Sequence, residues 1–240
     1  MGLTRLKEKL RMPKLSLVAA AAALAVVPAV MAPPPAQAIV NGVDSASLRG
    51  AVQVYANDNF ACGGVLLERR WIITAEHCVE NYSASVLKVR LGDRVRGAGS
   101  VRKVAEVDEF GVADLALLRL TEDYDGIAPP LAPLGAVPQP YANLALSGWG
   151  DTASGGPADR LQVATGRYEG LPEYDGIFHL EGTVLNGAEM ANGDSGGPVS
   201  GSEGTWAIFT HSDGPSWRAV ILTDPRVRNW IGNVTSSDHS

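Results

Sequence analysis

The chain is poor in cysteine, in basic charge and in helical periodicity, and each shortage removes a class of answer. Only Cys62 and Cys78 are present in 240 residues. Two cysteines cannot make a structural zinc site, and His77 beside Cys78 has no second pair at metal-ligand spacing, so no metal or other cofactor is expected. Acidic side chains outnumber basic ones, 26 Asp and Glu against 20 Lys and Arg. Arg5, Lys7, Lys9, Arg11 and Lys14 all lie close to the N-terminus. Beyond that segment the balance falls to roughly −10, a surface unsuited to nucleic acid or anionic lipid. No helical pattern interrupts the middle of the chain, which argues against a parallel sheet with crossover helices.

Uncharged apolar sequence is confined to Leu15–Val30, about 16 residues against the roughly 20 of a membrane span. It follows the basic segment and precedes Met31-Ala-Pro-Pro-Pro-Ala-Gln-Ala38. That order describes a secretory signal peptide over 1–38 rather than a stable membrane anchor. Its length and Ala-rich character suggest a bacterial exporter. Cleavage after Ala38 leaves Ile39 first in a secreted, extracellular chain of about 200 residues, enough for one large domain or two small ones. In that oxidising setting a Cys62–Cys78 disulfide is the default, with two buried free thiols as the alternative.

What is there reads as short strands divided by turns. Val86–Leu91 and Ser100–Val107 alternate apolar and polar, as half-buried antiparallel strands do. Val52–Tyr55, Val65–Leu67, Trp71–Thr74, Leu115–Leu120, Asn143–Ser147, Trp206–Thr210 and Ala219–Leu222 add further strands. A Pro-rich stretch from Ala128 to Pro140 divides the chain into 39–132 and 133–240. Two all-β halves of this size fit two small barrels, although a pair of sandwiches has the same pattern. Near the end Val227, Trp230, Ile231 and Val234 fall at helical spacing. Asp224 is placed to cap and Pro225 to start a single C-terminal helix.

The reactive candidates are a serine, a histidine and an aspartate. A serine hydroxyl is a weak nucleophile near neutral pH and needs a base within hydrogen-bond reach. Histidine suits that task, and a carboxylate on its other nitrogen fixes the tautomer. Of the four histidines, 77, 179, 211 and 239, only His77 lies at a strand end beside a cysteine that can brace it. Asp114 opens an apolar strand. Ser195 sits among glycines, which let the backbone turn sharply enough for N–H groups to converge.

Ile39-Val-Asn-Gly42, Thr74-Ala-Glu-His-Cys78, Asp114-Leu-Ala-Leu-Leu118, Leu146-Ser-Gly-Trp-Gly150 and Gly193-Asp-Ser-Gly-Gly-Pro198 occur in this order. Together they closely resemble the chymotrypsin/trypsin family of serine proteases. The resemblance implies an all-β fold of two six-stranded antiparallel β-barrels and a C-terminal helix. His77 and Asp114 would lie in the N-terminal barrel and Ser195 in the C-terminal one. It implies a catalytic triad of His77, Asp114 and Ser195, and an oxyanion hole from the N–H groups of Gly193 and Ser195. The freed α-amino group of Ile39 would pair with Asp194, so export and activation would be one cleavage. A polypeptide substrate and a protein inhibitor are the partners so implied, for a monomer. The G-x-S-x-G elbow of α/β-hydrolases also fits Gly193–Gly197. That fold needs a helix after the serine and the order Ser, Asp, His, and neither is met.

The chain departs from the family at the specificity pocket. Glu189, Met190, Thr210, His211 and Ser212 are the aligned pocket residues. Glu189 at a pocket floor would favour cleavage after Arg or Lys. On an exposed loop it would leave an acidic or a small apolar preference open. Glu76 replaces the usual Ala beside the histidine. His179 reads as structural and His239 as a tail residue. A catalytically impaired secreted binding protein on the same scaffold is the rival reading, since fold does not guarantee function.

Overall fold

In the computed structural model, residues 39–236 are described. The expected signal peptide at 1–38 and the tail with His239 lie outside them. Strand β1 is Val43–Asp44. Six strands follow: β2 (Ala51–Ala56), β3 (Asn59–Glu68), β4 (Trp71–Thr74), β5 (Leu87–Leu91), β6 (Ser100–Glu109) and β7 (Ala116–Leu120). They close into an antiparallel barrel in the order β2-β3-β4-β7-β6-β5. The alternation that marked β5 is realised literally: Leu87, Val89 and Leu91 are buried while Lys88 and Arg90 are half-buried. Asn57 and Asp58 both take positive φ, 48° and 67°, the conformation of a two-residue hairpin turn matched to strand twist. Val54, Leu66, Ile72, Val89 and Leu118 meet in the interior.

The second half supplies β8 (Asn143–Gly148), β9 (Gln162–Gly170), β10 (Glu173–Tyr174), β11 (Ile177–Val184), β12 (Pro198–Gly201), β13 (Gly204–Asp213) and β14 (Ser216–Ile221). Six of these run β9-β8-β12-β13-β14-β11, and β11 pairs back onto β9 to close a second antiparallel barrel. Its interior includes Leu146, Leu180, Val199, Phe209 and Trp217. Helix α1 (Pro225–Ser236) starts as expected: the Asp224 carboxylate accepts from the Arg226 N–H at 2.7 Å. Val227 and Ile231 pack with Val65, Ile73 and Leu117 of the first barrel and Ile208 and Val220 of the second. This third cluster joins the barrels.

The division by sequence halves needs one adjustment. The start of the described chain belongs with the second barrel, because β1 pairs with β9 and Ile39 is buried in that barrel's core. A segment this short forms no sheet of its own and gains by filling a neighbour's edge.

Candidate active site

His77 sits in a single 3-10 turn, Glu76–Cys78, directly after β4. Cys78 is bonded to Cys62 of β3, with Cα atoms 6.1 Å apart, so the turn is tied to the barrel wall. Cys62, His77 and Cys78 cluster closely enough to suggest a metal site, but the disulfide consumes both thiolates. Asp114 lies just before β7, the neighbour of β4 in the barrel. Its Oδ1 accepts from the His77 backbone N–H at 3.0 Å, and its Oδ2 bonds the His77 ring Nδ1 at 2.7 Å. Nδ1 donates to a carboxylate, so Nε2 is left to accept.

The electrostatics agree with that tautomer. The bond to Asp114 raises the His77 pKa above its usual value against the opposing effect of burial. Burial alone would raise Asp114. The bonds from the His77 ring and backbone outweigh it and hold the carboxyl below the ordinary range. Glu76 is raised by burial and by the neighbouring charges of Glu109, Asp114 and Glu80. Its carboxyl stands in a field that is already negative.

Ser195 is half-buried, on the loop that enters β12. Its carbonyl accepts from the Gly63 N–H of β3 at 2.8 Å, and the Gly63 carbonyl accepts from the Thr74 hydroxyl at 2.7 Å. The serine is thus bonded to the barrel that carries His77. Gly196 makes the approach practicable: its φ is +80°, and a Cβ there would lie 2.2 Å from the Gly63 carbonyl oxygen. Among the described residues the N–H groups of Gly193 and Ser195 have no protein acceptor, and the Ser195 hydroxyl has no hydrogen-bond partner. Gly63 and Thr74 escaped the sequence reading. The double glycine inside β3 was the available signal, since strand glycines mark close backbone approach.

Asp194 is fully buried, and burial pushes its pKa up to about 7. Its oxygens accept from the N–H groups of Gly150 at 2.7 Å and Ala191 at 2.9 Å. Ile39 is also fully buried, with φ of 49°, a strained conformation for a β-branched residue. The adjacent Val40 carbonyl accepts from the Glu189 N–H at 3.0 Å.

The pocket residues do not assemble as a charged floor. Ala188 and Met190 turn inward and are buried, so alternation turns Glu189 outward, where it is exposed. Of the two readings of Glu189, the structure has the exposed one. The Ser212 hydroxyl donates to the Met190 carbonyl at 3.3 Å, bridging the two expected pocket walls. Trp217 is 2% exposed and shares a cluster with Met190, Phe209 and Ile39. It is held there by the β13–β14 hairpin, zipped to Asp213↔Ser216. Thr210 is half-buried and His211 exposed.

Comparisons with known proteins bear on this geometry. A family model described as Trypsin matches residues 39–231. Trypsin alpha-4 of Lucilia cuprina is 30% identical over 242 residues, covering 89% of this chain and 93% of that protein. Proproteinase E of Bos taurus is 31% identical over 210 residues, covering 72% and 82%. Among solved structures, human heparin binding protein superposes with a TM-score of 0.72 at 20% identity, covering 82% of this chain and 97% of that one. A scabies mite inactivated protease paralogue gives 0.72 at 18% identity, covering 82% and 98%. At these identities the structural likeness concerns the fold alone.

Proposed function

Because the chain belongs to the trypsin family, we propose that it is a secreted serine endopeptidase with His77, Asp114 and Ser195 as its catalytic residues. The observation that carries this reading is the His77–Asp114 pair, with both carboxylate oxygens engaged and Nε2 left to accept. His77 would take the Ser195 proton as the hydroxyl attacks the scissile carbonyl, then return it to the leaving amine. The unoccupied N–H groups of Gly193 and Ser195 would receive the developing oxyanion, where loss of one donor costs about 3–4 kcal/mol. Asp194 would pair with the amine that cleavage before Ile39 sets free. Secretion follows from the basic-apolar-small segment at the N-terminus, and among the described residues no helix is long and apolar enough to cross a membrane.

Cleavage after basic residues rested on Glu189 as a pocket floor. An exposed Glu189, the Ser212–Met190 bridge and the buried Trp217 favour a small residue there instead. A peptide-library cleavage profile tests this. Cleavage after Ala, Gly or Ser supports it, and cleavage after Arg or Lys contradicts it.

One observation favours a second reading. With the pocket walls bridged and no bond on the Ser195 hydroxyl, a binding protein of dormant catalysis would look alike. Folded protein that cleaves no peptide in the library, and takes no fluorophosphonate at Ser195, would decide for it.

A further inference from the structure

A cleft of about 420 Å³ opens beside His77, lined among others by Glu76, Glu80, Asp175, Tyr174 and His179. Among the described residues no lysine or arginine pairs with Glu76, Glu80 or Asp175. The nearby Arg218 is already neutralised: its Nε bonds Glu181 at 2.6 Å, and Tyr174 donates to the same Glu181 oxygen at 2.8 Å. Arg226 borders the cleft at Asp175, but its Nη1 donates to the Asp175 and Gly176 backbone carbonyls, at 3.5 and 2.9 Å, rather than to a carboxylate. Among the described residues the negative charge of Glu76 and Glu80 is thus left without a paired cation.

An independent observation comes from His179 of β11. It is only 7% exposed, and its Nδ1 bonds the Ile177 carbonyl at 3.0 Å. A carbonyl can only accept, so Nδ1 carries the proton and Nε2 holds a lone pair. Burial lowers the His179 pKa, which keeps the ring neutral. Among the described residues Nε2 has no partner, and it is not one of the fully sealed orphan atoms. His179 lines both this cleft and the adjoining one of about 510 Å³, which reaches Thr210 and His211. A buried neutral acceptor beside unpaired carboxylates asks for a donor that is also a cation.

The backbone indicates how such a group arrives. β13 runs past β12 from Thr210 to Asp213 and pairs there only with β14. Its free edge can take an extended peptide as an added strand leading to Ser195.

We propose that this cleft receives a lysine or arginine side chain of the substrate, upstream of the scissile bond, with Glu76, Glu80 and Asp175 supplying the charge and His179 Nε2 a hydrogen-bond acceptor. The proposal rests on the protease reading for the identity of its occupant. It moves recognition of basic residues away from the position next to the cut, where a trypsin-type preference would place it. His179 acts here as a specificity residue and takes no part in bond breaking.

The test uses binding, so that it stands apart from turnover. Ser195→Ala protein, produced from the full chain, is titrated with fluorescent peptides. These carry Ala at the position before the cut and Lys, Gln or Glu at each of the three positions upstream. At one position Lys should bind about tenfold more tightly than Gln, and Glu more weakly still. The advantage should shrink in high salt. Glu80→Gln with Asp175→Asn, both at exposed positions, should reduce the Lys advantage at least threefold. His179→Gln should retain more of it than His179→Phe. Equal binding of Lys and Gln peptides, preference for Glu, no peptide binding, or a Lys advantage unchanged in the Glu80/Asp175 variant overturns the proposal. Failure of the protease reading shows separately, as absent fluorophosphonate labelling of wild-type protein beginning at Ile39.

Discussion

His77 must be neutral before it can accept a proton. Its bond to Asp114 raises its pKa above the ordinary 6.5, so kcat/KM should climb with pH through an apparent value above 6.5. A rate profile from pH 5 to 9 checks this, and a midpoint below 6.5 contradicts it. The same bond acts oppositely on stability. A raised folded pKa stabilises fully below the unfolded value, and that contribution is lost as pH rises through the folded value. On the proposed mechanism Asp114→Asn removes the fixed tautomer and should lower kcat by about 10⁴, the loss such a change causes in Ser-His-Asp proteases. Gly196→Ala places a Cβ on the Gly63 carbonyl at positive φ and should destabilise by more than about 1 kcal/mol, read from denaturant midpoints. His77, Asp114 and Ser195 were legible as candidates at this scale because the chemistry proposed for them limits the residue types. The direction of Glu189 was not. It depends on which neighbours turn inward, and only the packing of Ala188 and Met190 decides that.

Among the elements, the 3-10 turn carrying His77 has little packing of its own and depends on the Cys62–Cys78 bond. Replacing both cysteines by serine should cost roughly 3 kcal/mol and lower kcat, because the imidazole is less firmly held. Thermal melts and initial rates of the double variant measure both. The β13–β14 hairpin is the second decisive element, since it buries Trp217 against Gly166 and Gly182. Trp217→Ala should destabilise by about 3–5 kcal/mol and shift cleavage toward larger residues. Strand β5 and helix α1 could be read from the sequence because each has a single buried face, with period two in one and 3.6 in the other. Strands β9 and β11 were missed. Gly166, Gly170 and Gly182 interrupt their apolar pattern, and a register shift between Glu181 and Gly182 breaks the regularity of their pairing. The hairpin's effect on the pocket was equally hidden, since Trp217 alone does not say which barrel face it fills.

The whole molecule couples its N-terminal edge to the serine loop. Ile39 is in the second barrel's core, Val40 bonds Glu189, and Asp194 is sealed beneath the loop that bears Ser195. In the uncleaved chain Asp194 has a folded pKa of about 7 against an ordinary 3.8. An acid raised in this way binds its proton more tightly when folded, so stability falls as pH rises from about 4 to 7, by roughly 4 kcal/mol in all. A free ammonium at Ile39 would remove that penalty. Melting temperatures of Ser195→Ala protein should therefore drop between pH 5 and 8 for the precursor and hold steady for a chain starting at Ile39. Equal slopes would break the link. The two-barrel architecture followed from ordered motifs more than from strand periodicity, which a pair of sandwiches satisfies as well.

The most direct test of the catalytic assignment is covalent. Protein beginning at Ile39 is treated with a fluorophosphonate and the modified peptide is identified by mass spectrometry. Labelling on Ser195, abolished by His77→Ala and strongly reduced in the uncleaved precursor, is the predicted result. Folded protein that takes no label at Ser195, or labels equally well without His77, would contradict it.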